Sequence, residues 1–198
     1  MKNFTTIITA TLINVTFIAA TPTPATSFSI SIKLGSQVIA ARQGTSTCEP
    51  SSTLVLTALQ NWNNDVDTVN NFVDTVHGLT GDALQSAATT ALFAASNEPV
   101  DLSILNCIAT VASNDAAQIQ DLMNVFGGVI TGLQTIITNP NNANNVSSAL
   151  GSINLTRCCN VLPDLSILWP DAADQEGISD QVNTAVPTPA ACSSIMCG

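Results

Sequence analysis

SSTLVLTALQNWNNDVDTVNNFVDTVHG, running from Ser51 to Gly78, decides the fold class. Its apolar residues Val55, Leu59, Trp62, Val66, Val69, Val73 and Val76 stand alternately four and three residues apart. An α-helix turns once every ~3.6 residues, so this spacing stacks these side chains on one stripe. Asn61, Asn63, Asn64, Asp65, Asp67, Asn70, Asn71 and Asp74 are read as covering the other faces. Ser51 or Ser52 can cap the start, because a serine oxygen accepts an early backbone N–H. His77-Gly78 marks the end, glycine being suited to the left-handed position after a helix. A stripe of this kind needs partner helices to cover it.

The chain downstream supplies them. Asp82 to Ser96 carries Leu84, Ala88, Leu92 and Ala95, a stripe rich in alanine that permits close approach. Pro99 fits a first helical turn, and Leu102, Leu105, Ile108 and Val111 continue from it. Asn114 or Asp115 can cap a further helix, with Ile119, Leu122, Met123, Phe126, Ile130, Leu133 and Ile137 facing inward and Asn139-Pro140 stopping it. An Asn-rich loop, 141–145, leads to Val146, Leu150 and Ile153. Short links between amphipathic helices predict an all-α, antiparallel up-and-down bundle of about five helices over 48–160. Residues 161–198 contain Pro163, Pro170, Pro187 and Pro189 and five acids. They read as an irregular, acidic tail, with Leu165, Ile167, Leu168 and Trp169 pinning part of it to the bundle.

Residues 1–20 place a lone Lys2 before an apolar run from Ile7 to Ile18, then Ala19-Ala20 and Thr21-Pro22. That is the pattern of a secretory signal and predicts an extracellular protein. Residues 21–47 read as an extended or flexible arm. Within it, Phe28, Ile30, Ile32 and Leu34 alternate with polar residues in strand fashion but have no evident partner strand. No later segment supplies the ~20 apolar residues a bilayer needs, and no hydrophobic tail fits a lipid-anchor signal.

Export makes disulfides the expected state of Cys48, Cys107, Cys158, Cys159, Cys192 and Cys197. Cys158 and Cys159 are adjacent and are expected to take separate partners, since a bridge between neighbours strains disulfide geometry. The rest of the connectivity stays open. No C-x2-C or comparable spacing offers a metal site, and no cofactor is expected. A net charge of −10, with only four Lys and Arg, repels nucleic acid and anionic membrane surfaces.

No pattern of catalytic residues emerges, and the chain is read as noncatalytic. His77 fits a helix C-terminus, where the dipole favours a cation. No G-x-S-x-G turn is present. A glycosidase carboxylate pair would want aromatic platforms, yet the chain has no Tyr and two Trp. Gly127, Gly128 and Gly132 weaken an otherwise apolar helix by about 1 kcal/mol each. Either they allow close packing against the alanine-rich helix, or they bend the chain and open an apolar cavity. Phe72, Phe93, Met123, Phe126 and Ile130 would line that cavity. Asn145-Val-Ser147 and Asn154-Leu-Thr156 are N-glycosylation sequons, Asn145 in a loop and Asn154 on a helix.

Ser52 to Gly78, with Thr57 to Val73 at its centre, resembles small secreted proteins of filamentous fungi. With the Ser/Thr/Asn/Ala-rich helical pattern over about 48–157, it is loosely similar to the hydrophobic-surface-binding and cell-wall mannoprotein family. That resemblance implies an all-helical secreted protein associated with cell walls, apolar surfaces or fatty ligands. The expected function is binding of an apolar ligand, a hydrophobic surface or a wall component. The alternative is a disulfide-stabilised, effector-like protein that faces a host.

Overall fold

The computed structural model describes residues 48–198. The signal pattern, the arm and its alternating stretch lie outside the described residues. Within them the fold is all-α and disulfide-linked, with no strand.

The decisive stretch is helix α1, Ser52–Thr75. Ser51 caps it, its Oγ accepting the N–H of Leu54 at 3.3 Å. Each residue of the apolar stripe, Val55 through Val76, is at most 3% exposed. Asn70 departs from the reading: it is buried at 5% exposure, not turned to solvent. The end differs as well. Val76–Gly78 tightens into a 3-10 turn, and the left-handed glycine is Gly81, at φ 55, at the start of the next helix.

Helix α2 is a single rod, Gly81–Leu105, with Pro99 in its interior. The sequence predicted a break there. An interior proline loses one backbone hydrogen bond and costs about 3 kcal/mol. Burial of Ala94, Ala95, Glu98, Asp101 and Leu102 on both sides of Pro99 holds the rod together. A six-residue helix, α3 (Ala109–Asn114), then leads into α4, Ala116–Thr138.

Helix α5, Ala143–Thr156, passes through a π-turn, Arg157–Val161, into α6, Leu162–Gln175. The first half of the predicted irregular tail is therefore helix. The wide turn ends where Leu162 donates to Arg157 O, directly before Pro163. Proline has no N–H to donate, so the register change falls where an ordinary α-helical bond would be lost anyway. Leu162, Leu165, Leu168, Trp169, Ala172 and Ala173 of α6 are all buried.

The long elements thus form four rods: α1, α2, α4 and the combined α5–α6. Side-chain contacts fix their directions. Trp62 meets Glu98, and Asp65 meets Asn97, so α1 and α2 are antiparallel. Gln85 donates to Ile137 O, and Leu102 and Leu105 share an apolar cluster with Leu122 while Leu84 and Ala88 share the other with Leu133 and Ile136, so α2 and α4 are antiparallel. The position of Gly132 abuts Ile153, Asp121 faces Asp164, and Asp115 faces Asp171. Those contacts climb α4 in constant register, so α5 and α6 run antiparallel to it as one rod across the π-turn.

Two apolar clusters fill the interior. One joins Val55–Val66 of α1 with Leu102, Leu105, Leu122, Phe126, Leu165 and Trp169. The other joins Val69–Val76 with Leu84, Ala88, Ala91, Leu133, Ile136 and Ile153. Trp62 packs edge-on against Trp169, with ring centroids 5.9 Å apart, and against Phe126 at 6.2 Å. Gly132 is the close-approach glycine, but its neighbour is α5, not the alanine-rich α2. A Cβ there would stand 2.7 Å from Ile153 Cγ1. A Cβ at Gly127 or Gly128 would meet nothing within 4 Å beyond its own helix.

Residues 176–198 return along α1. Ser52 Oγ donates to Glu176 Oε2 at one end. At the other, the Asp74 carboxylate accepts the N–H groups of Ala190 and Ala191, each at 3.0 Å. Disulfides Cys158–Cys192 and Cys159–Cys197 fasten this segment to the π-turn, and Cys48–Cys107 ties the entry of α1 to the end of α2. The adjacent cysteines take separate partners, as expected from their spacing.

Candidate functional site

A charged group lies where the two apolar clusters meet. Arg157, the one Lys or Arg after residue 47, is 1% exposed. Its Nη1 donates to Glu98 Oε1 at 2.9 Å, and its Nη2 donates to Asn70 Oδ1 at 3.0 Å. Glu98 Oε2 accepts the indole N–H of Trp62 at 3.2 Å. Asn70 Nδ2 donates to Pro187 O at 2.7 Å, which ties the returning tail into the same network. A buried ion pair must offset the loss of its hydration, and these extra hydrogen bonds do part of that. Sequence reasoning missed the network because its members are far apart in the chain. The one available signal was a lone arginine beside Cys158-Cys159.

Residues beside Glu98 on α2 form an outer wall. On its solvent side, α1 and α2 leave a cleft of about 410 Å3 lined by Asn61, Asn64, Asp65, Asn97, Val100 and Asp101. Asn97 Nδ2 donates to Asp65 Oδ1 at 3.4 Å. Asp101 is 6% exposed and lines the cleft. Burial pushes the Asp101 carboxyl up to about 7, and the charges of Asp65 and Glu98 push it the same way. Burial likewise lifts Asp65 to about 6, opposed by the Asn97 hydrogen bond and helped by Glu98. The sequence placed Asp65 on a polar face of α1; in the structure it shares a concavity with Asp101 of α2.

Two further acid pairs lie along the α4–α6 seam. Burial raises Asp164 to about 6, with Asp121 beside it adding to the shift. Burial raises Asp115 as well, with Asp171 as its neighbour. Asp115 Oδ2 and Asp164 Oδ2 are buried without a donor. A proton shared with the facing carboxyl satisfies such an oxygen. Among the described residues, no group of three or more His, Cys, Asp or Glu is arranged to hold a metal ion.

The residues expected around an apolar cavity are not brought together. Phe72 packs in one apolar cluster and Phe126 in the other, while Ile130 is half-buried against the former. Phe93 is 73% exposed and Met123 is 49% exposed, so neither lines an interior space. Nearby alanines and valines fill the interior instead. Another cleft, also polar, is formed by the loop around Asn139–Asn144. Asn145 is exposed in the first turn of α5 rather than in a loop, its N–H donating to Asn142 Oδ1 at 3.2 Å. Asn154 is half-buried, and its Oδ1 is enclosed without a partner.

Among the described residues, no helix is long and apolar enough to cross a membrane. No family model, curated protein or solved structure matches the chain.

Proposed function

We propose that this chain is an exported, noncatalytic helical module that attaches to a cell-wall component through its outer surface. Three disulfides are compatible with an oxidising, extracellular setting. The likeness of the first helix to the hydrophobic-surface-binding and cell-wall mannoprotein family points the same way.

One observation carries the reading. Phe93 is an aromatic ring left 73% exposed on α2. Asn97 and Val100 follow it at helical spacing, so ring, amide and isopropyl share one face beside the α1–α2 cleft. An apolar platform next to amide and carboxylate groups suits a ligand that has apolar ring faces and many hydroxyls. Wall polysaccharides have that chemistry. An interior lipid site is not part of the proposal, because the cavity residues do not converge.

Co-sedimentation with insoluble wall polysaccharide tests it. The wild-type protein should pellet, and Phe93→Ala should bind about thirty-fold more weakly, as expected when burial of a Phe side chain worth ~2 kcal/mol is lost. Equal pelleting of the two proteins, or none by the wild type, would defeat the assignment.

A further inference from the structure

Two sequons stand on one helix in unlike surroundings. Asn145-Val-Ser147 lies in the first turn of α5, and Asn154-Leu-Thr156 lies in its last. Asn145 and Ser147 are both exposed, as are residues 141–144 before them. Val146 between them is partly buried against the second apolar cluster, which seats the turn on the bundle. Helix ends fray, so this sequon can leave the helix without opening the core. Asn154 and Thr156 are each half-buried. Ile153 before them and Arg157 after them are at most 1% exposed, and Cys158 and Cys159 follow in the π-turn, both in disulfides. That stretch is the middle of the α5–α6 rod, not an end.

Amide geometry separates the two further. N-glycosylation joins Asn Nδ2 to the anomeric carbon of a sugar carried on a lipid diphosphate. The carbon–nitrogen bond forms as the carbon–oxygen bond to the diphosphate breaks. The lipid diphosphate leaves with that electron pair, and Nδ2 gives up one proton to solvent. The product is a secondary amide, whose two carbon substituents stand trans. The sugar therefore lies on the same side of the amide as Oδ1. At Asn154 that oxygen is enclosed, with no hydrogen-bond partner. A sugar on the Asn154 amide is aimed at the groups that enclose Oδ1. Asn145 is exposed and meets no such wall. We propose that Asn145 carries an N-linked glycan and that Asn154 stays bare. The glycan stands on α5, which packs on α4 where Ile153 meets Gly132. Phe93 stands on α2, a different rod, so the proposed contact face is left clear. This rests on the exported reading of the chain and is independent of what Phe93 touches.

The test expresses the full chain, 1–198, in a eukaryotic cell that makes N-linked glycans and recovers the protein from the medium. Peptide N-glycosidase converts each glycosylated Asn to Asp, and peptide mass mapping then reads each sequon. Asn145 should be converted in most molecules and Asn154 in none. Asn145→Gln and, separately, Ser147→Ala should abolish the glycosidase-sensitive shift in electrophoretic mobility, because each removes one half of the sequon. Asn154→Gln should leave that shift unchanged. An unaltered helical circular dichroism spectrum will show that the variants remain folded. Conversion at Asn154 to the extent seen at Asn145 would overturn the proposal. An exported protein bare at both sites would overturn it too, while leaving export itself standing. A chain retained inside the cell with residues 1–20 uncleaved would instead defeat the exported reading, and the glycan with it.

Discussion

Glu98→Ala removes the counter-charge of the most deeply enclosed cation in the described chain. The pair is 2.9 Å apart, and both side chains are 1% exposed. Without the carboxylate, Arg157 keeps only Asn70 Oδ1 and the longer contact to Val66 O. Breaking one partner out of a buried ion pair costs about 3–5 kcal/mol. Trp62 Nε1 also loses its acceptor, and an unsatisfied buried donor costs about 1–3 kcal/mol. Relief of the repulsion that Glu98 exerts on Asp65 and Asp101 trims the total. A loss of about 4–6 kcal/mol is expected, a large share of the ~5–15 kcal/mol that stabilises a typical domain. Urea denaturation followed by helical circular dichroism measures it. With a slope of about 2 kcal/mol per molar urea, the midpoint should fall by about 2–3 M at unchanged slope. The partner experiment is Glu98→Leu with Arg157→Met. Replacing both charges with apolar groups of similar size removes the unpaired-charge penalty but leaves the Trp62 N–H and Asn70 Oδ1 without these partners, so the double variant should recover about half of the Glu98→Ala loss. A Glu98→Ala loss under 1 kcal/mol, or a double variant worse than either single one, would refute this account of the bundle centre.

Acidity should stabilise the fold. Asp65, Asp101 and Asp164 have folded-state pKa values raised to about 6, about 7 and about 6. A raised carboxyl takes up its proton more readily when folded, so stability is higher at low pH and is lost as pH rises through the folded pKa. The melting temperature should therefore fall between pH 5 and pH 8; a flat or rising profile in scanning fluorimetry would show the acid pairs to be solvated. Two glycine substitutions in α4 should act in opposite directions. Gly132→Ala drives a Cβ to within 2.7 Å of Ile153, which is 0% exposed, and should cost about 1–3 kcal/mol. Gly128→Ala meets nothing within 4 Å beyond its own helix and should gain up to about 1 kcal/mol from helix propensity. Equal effects in chemical denaturation would place α5 wrongly.

Where apolar spacing was regular, the fold was legible. The stripe of α1 and its Ser51 cap follow from side-chain periodicity and one hydroxyl, both local properties. Proline misled the reading twice. Pro99 and Pro170 both lie inside helices, because burial of flanking residues outweighs a single missing hydrogen bond. The signal for α6 was present in Leu162, Leu165, Leu168, Trp169 and Ala172, whose spacing is helical, but the proline content of the segment concealed it. The candidate site was less legible. Asp65 and Asp101 are ordinary polar residues until the α1–α2 hairpin sets them face to face. Asn70, Glu98 and Arg157 belong to three different rods, so only tertiary structure unites them. Phe93 and Met123 are apolar residues at exposed positions, which no local pattern distinguishes from core.

The central structural claim is a four-rod bundle whose last rod crosses a π-turn at Arg157–Val161 and whose end folds back along α1. Disulfide mapping by tandem mass spectrometry, with fragmentation between Cys158 and Cys159, tests it most directly. The expected pairs are Cys48–Cys107, Cys158–Cys192 and Cys159–Cys197. Free thiols, a Cys158–Cys159 bridge, or a link from Cys48 to the C-terminal cysteines would contradict it.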